Sequence, residues 1–199
     1  MERVHFWKCT DCHSIGSREE PGERVSFGHD EIVVLRQAIE FSEEIISDFY
    51  KLSTSEWKRY RYDIQSLKDL QVEEIIDIAF AQIRRYQRGP HQRLRGSEPG
   101  DFFKICLQDH VIRKAIQRDT EIRLLPLSTY IVTHELIHVV RFARFLQRFD
   151  STPMEQDAEE RRVHDLTFQL LVRCTISGSE AVLSAFRDCR TMETFVGNA

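Results

Sequence analysis

The segment His134-Glu135-Leu136-Ile137-His138 sets two imidazoles four residues apart with a carboxylate between them. On a helix, positions i and i+4 share a face, so both imidazoles can be directed at one point. Zinc accepts neutral imidazole nitrogen at about 2.0–2.1 Å, and a catalytic site leaves one position for water. The cation brings that water's pKa towards about 7, and a neighbouring Glu135 is placed to take the proton. Leu127, Ile131, His134, His138, Phe142 and Phe145 fall on one helical stripe, which turns both histidines to the core. Two buried imidazoles without a metal would each need a hydrogen-bond partner of their own.

Elements on either side must position this pair. A long helix is expected from Ser128 to about Phe149. Ser151-Thr152-Pro153 then reads as a stop and restart, with a hydroxyl N-cap and proline at the first helical position. The next helix runs to about Cys174, and a tight turn near Ser151 makes the two an antiparallel hairpin. Residues equidistant from the turn lie at one level; His138 is thirteen before Ser151 and His164 thirteen after it. Glu160 lies one turn from His164 on the face continued by Val163, Thr167, Leu170, Leu171 and Cys174. That phase makes His164 the expected third ligand, with Glu160 the alternative ligand or a partner orienting an imidazole. Glu155, Glu159 and Arg162 fall on a charged face that reads as solvated.

The rest of the chain reads mostly as helices. Ile32, Leu35, Ile39, Ile46 and Phe49 mark one beginning at Asp30; Trp57, Tyr60, Ile64 and Leu67 mark a second, capped by Ser53 or Ser55. Val72, Ile75, Ile76, Ala79, Ile83 and Tyr86 form the cleanest helical stripe. Arg88 to Gly100 is a Gly/Pro-rich loop whose arginines, with Arg84 and Arg85, make the one dense basic patch. Asp101 caps a helix to about Gln117, Glu121–Leu125 is a short candidate strand, and Ser179 caps a last helix. The expected fold is mostly α: a helical metal-binding domain over 30–199, at most a few short strands, and a distinct Cys/His-containing segment over 1–29.

The HELIH segment resembles the zincin metallopeptidases, whose HExxH lies on the active-site helix. The resemblance covers residues 134–138 and the acidic helix that follows. It implies His134 and His138 as ligands, Glu135 as general base, and a zinc-dependent hydrolase acting on a peptide or small molecule. In the gluzincin branch the third ligand is a Glu on the next helix, often with an acidic residue four further on. Glu155 and Glu159 imitate that spacing, while the helix phase favours His164. Zincins also present an edge strand before this helix, for which Glu121–Leu125 is the candidate.

Glu135-x-x-His138 is equally the motif by which ferritin-like bundles hold a pair of iron ions. That alternative, a di-iron oxidoreductase, needs a second E-x-x-H and further glutamates. The other match is Glu2-x-x-His5, outside any bundle; Glu43, Glu73 and Glu74 flank their stripes, and Glu40 and Glu44 are further candidates. A third reading is a non-catalytic, metal-stabilised helical domain that binds a partner through its N-terminal segment or the Arg84–Arg95 patch.

Cys9-Thr-Asp-Cys12-His13 matches the c-type haem attachment sequence, which needs export, and half of a zinc knuckle. Cys9, Cys12 and His13 are therefore a possible second metal site, which His5 or His29 would help complete. The 199 residues carry a net charge of -4, so bulk electrostatics argue against nucleic acid as a partner. No apolar run reaches the roughly 20 residues that span a bilayer. The absence of a signal-like start makes the cytoplasm the expected compartment, where the five cysteines (Cys9, Cys12, Cys106, Cys174, Cys189) are thiols.

Overall fold

The computed structural model describes residues 2–6 (as backbone), 24–86, 101–149 and 151–187. The fold is mostly helical, with one small sheet. The sheet comprises β1 (Glu2–Phe6), β2 (Tyr62–Gln65), β3 (Ala81–Tyr86) and β4 (Phe102–Leu107) in the order β1-β3-β4-β2. β3 runs antiparallel to both β1 and β4, and β4 pairs in parallel with β2. The helices are α1 (His29–Tyr50), the single turn α2 (Thr54–Trp57), α3 (Asp109–Arg118), α4 (Leu124–Ala143), α5 (Pro153–Leu171) and α6 (Ser179–Ala185).

Helix α4 is the axis of the molecule: every residue from Pro126 to Phe142 is buried. Four kinds of surface cover it. Against α1, small polar residues allow close approach; Thr133 Oγ1 donates to Ser42 Oγ at 3.0 Å, and Ser42 Oγ donates to Ala38 O at 2.8 Å. The sheet meets it through Phe103, whose ring stacks on Phe142 at 5.8 Å. Phe186, just past α6, stacks on Tyr130 at 4.4 Å. Helix α5 brings Val163, Thr167 and Leu171 against the remaining side. A helix covered on every side buries its polar residues too, so Thr133, His134, Glu135 and His138 depend on partners inside the protein.

The hairpin forms as its sequence signals require. Thr152 is the N-cap of α5, its Oγ1 accepting from Glu155 N at 3.3 Å, with Pro153 in the first position. α4 ends earlier than expected, at Ala143. Phe145 adopts a left-handed φ of 56° and is 89% exposed, so it leaves the core stripe assigned to it.

Three expected helices are corrected. Residues 72–86 form a 3-10 turn (Val72–Glu74) followed by β3. The polar positions of β3 are buried too: Gln82 Nε2 donates to Glu74 O at 2.6 Å and Arg84 Nη1 to Glu73 O at 2.7 Å. A strand buried on both faces shows no alternation, and the helical period was coincidental. The helix expected around Trp57–Leu67 is the single turn α2, capped by Ser53, followed by β2. The helix expected from Asp101 is β4 and then α3. The strand expected at Glu121–Leu125 is a turn that enters α4. Arg84 and Arg85 do not join a solvated patch, since Arg85 Nη2 pairs with Asp101 at 2.6 Å. No helix among the described residues is long and apolar enough to cross a membrane.

Candidate metal centre

Helix α4 supplies His134, Glu135 and His138, and α5 supplies Glu160 and His164. His134, Glu135, His138 and His164 are each at most 2% exposed, and the Glu160 side chain is 12% exposed. The two imidazoles converge as the i, i+4 spacing requires. His134 Nε2 and His138 Nε2 lie 3.2 Å apart. Glu160 reaches both, Oε2 at 3.2 Å from His134 Nε2 and Oε1 at 3.2 Å from His138 Nε2.

His164 stands one turn further along. Its ring centroid is 4.5 Å from that of His134, and its Nδ1 lies 2.8 Å from the Tyr130 hydroxyl. Two triads therefore share His134 and Glu160. In the one completed by His164, the ligand atoms fall within 4.8 Å of one another. In the one completed by His138, the contacts are all 3.2 Å. A tetrahedral shell with bonds of 2.0–2.1 Å has edges of about 3.3 Å, close to the separations in the His138 triad, where Glu160 turns one oxygen to each imidazole.

The level of these residues differs from the symmetric expectation. The connection between Ala143 and Pro153 is centred on Arg148, three residues before Ser151. Glu160 is thereby brought level with His138, while His164 moves one turn on, level with His134 and Tyr130.

The surroundings orient the ligands. His138 Nδ1 lies 3.0 Å from Gln147 Oε1. An amide oxygen only accepts, so a ring proton sits on Nδ1 and Nε2 is turned towards His134 and Glu160. Glu135 is fully buried, and its Oε1 has no hydrogen-bond partner. Burial raises its carboxyl to about 8, with His138 pulling it down and Glu160 pushing it further up. Burial opposes charge on His138, but Glu160 at hydrogen-bond distance carries the imidazole up to about 9. Nitrogen-rich donors at 3.2 Å around a carboxylate, beside an orphaned buried carboxyl oxygen, suit a small divalent cation.

The other acidic candidates lie elsewhere. Glu159, expected in solvent, is 7% exposed and ion-paired with Arg141 of α4 and with Arg162. Two charges that pair across a helix interface look like a solvated face in sequence, and that is why Glu159 was misplaced. Glu155 is exposed and completes the Thr152 capping box. Glu43 accepts from the Tyr62 hydroxyl, Glu74 is ion-paired with Lys104, and Glu40 and Glu44 are exposed. Cys9, Cys12 and His13 lie outside the described residues. His29 is exposed at the start of α1. Gln147 and Tyr130 were not anticipated. Gln147 lies in the connection after α4, where no spacing rule applies, and Tyr130 is one turn before His134 on the same face.

No family model, no curated protein and no solved structure matches the chain.

Proposed function

We propose that the chain is a metal-dependent hydrolase of the zincin type, with His134, His138 and Glu160 as ligands and Glu135 as general base. The observation that carries the reading is the 3.2 Å convergence of those three side chains next to a buried carboxyl with an unpartnered oxygen. A bound Zn²⁺ would lower the pKa of water towards about 7, polarise a carbonyl, and draw the Glu135 carboxyl back into its ionised range.

Glu135 then accepts the proton of the attacking water and can return it to the leaving group. Gln147 fixes His138 in the tautomer that offers Nε2. Tyr130 holds His164 against His134. The hydrophobic shell of Phe142, Val163 and Phe186 keeps bulk water out, which strengthens each of these interactions.

The deep burial also favours a second reading, in which His164 closes the shell and the metal only ties α4 to α5. One experiment addresses both. Zinc-loaded protein is incubated with a mixed peptide library and cleavage is read by mass spectrometry. Glu135→Gln should keep the zinc and lose about 10²–10⁴-fold in turnover. Zinc binding without cleavage by the wild type would leave the structural reading; cleavage undiminished in Glu135→Gln would remove Glu135 as the base.

A further inference from the structure

A cavity of about 190 Å³ lies between the connection after α4 and the ends of β3 and β4 marked by Arg85 and Asp101. Its walls are the rings of Phe142, Phe145 and Phe149. Gln147 also lines it: this side chain is 8% exposed, and its Nε2 is buried with no hydrogen-bond partner. A buried amide donor left unpaired is costly, and it asks for an acceptor. Two cations border the cavity. Arg85 is neutralised by Asp101 at 2.6 Å. Arg148 is exposed at the lip, where its charge also acts on the Glu155 carboxylate.

We infer that this cavity is a binding site for a small monocarboxylate carrying an aromatic or branched apolar group. The three phenylalanine rings take the apolar body, Gln147 Nε2 donates to the carboxylate, and Arg148 supplies the compensating charge. At about 30 Å³ per water, the space corresponds to about six waters, the room for one ring and its carboxylate. Gln147 Oε1 accepts from His138 Nδ1 at 3.0 Å, so one amide joins this site to the centre described above. The binding itself stands apart from the hydrolase reading.

The test titrates phenylacetate into the full chain by calorimetry, both zinc-loaded and chelator-treated, with phenethylammonium as the probe of opposite charge. Phenylacetate is expected to bind one-to-one in both preparations. Gln147→Leu should weaken it at least about tenfold, the worth of one hydrogen bond to a charged group. Arg148→Ala, an exposed change that leaves the fold intact, should weaken it severalfold and flatten its salt dependence. Absence of binding, equal affinity for phenethylammonium, or unchanged affinity in both variants would overturn the proposal. Binding confined to zinc-loaded protein would place the carboxylate on the metal and overturn it too. Binding by a chain that takes up no zinc would uphold it while removing the hydrolase reading.

Discussion

The ion pair between Arg141 and Glu159 gives the sharpest test of how the two site helices are locked together. Arg141 leaves α4 one turn after His138, and Glu159 immediately precedes Glu160 on α5. Their side chains are 10% and 8% exposed, so solvent screens the pair little. Removing one partner strands the other charge in the interface. Glu159→Ala should therefore destabilise the protein by about 3–5 kcal/mol, far more than the 0–1 kcal/mol of a surface pair. For a chain of this size that is a fall in Tm of about 10 °C. Replacing both, as Arg141→Met with Glu159→Leu, should recover most of the loss, because the desolvation penalty disappears with the charges. Urea denaturation of Arg141→Met, Glu159→Leu and the double variant closes the cycle. Coupling below about 1 kcal/mol, or a double variant as unstable as the sum of the singles, would refute the pairing as the lock that sets the phase of α5.

Two further outcomes follow from residues around the centre and the sheet. Gln147→Leu should lower zinc affinity about 10–100-fold in competition with a chromophoric chelator, since His138 loses the acceptor that fixes its tautomer; unchanged affinity would show that Gln147 does not orient the ligand. Burial works to raise the Glu74 carboxyl, but Lys104, the Gln71 backbone N–H and the Tyr86 hydroxyl hold it below the ordinary carboxylate range. A depressed folded pKa contributes stability above the unfolded value of about 4.3, and that contribution is lost as pH falls further. Lys104→Met should thus cost about 3 kcal/mol at pH 7 and much less at pH 3.5 by urea denaturation, whereas a pH-independent loss would assign the effect to packing alone.

The parts of the fold written in local signals were legible. Thr152-Pro153 announced the start of α5. The apolar phase of residues 160–174 put Glu160 and His164 on the face that meets α4, and the HELIH spacing put two nitrogens within 3.2 Å. What depended on tertiary partners was not. The strand β3 hides its polar residues by donating to backbone carbonyls of the turn before it, so Gln82 and Arg84 gave no sign of burial. The end of α4 carries no glycine or proline; Phe145 takes the left-handed position instead, and the connection is recentred by three residues. That small shift decides which α5 residue stands beside His138. Glu159 shows the same limit, because charge alone does not tell a solvated face from one paired across an interface.

The central claim is that His134, His138 and Glu160 hold one divalent cation, with His164 outside the set. Zinc-loaded, desalted protein analysed by mass spectrometry for metal per chain tests it directly. The account predicts one zinc in the wild type and in His164→Ala, and less than about a tenth in His138→Ala and Glu160→Ala. Zinc lost from His164→Ala but kept by Glu160→Ala, or no zinc in the wild type at neutral pH, would contradict it.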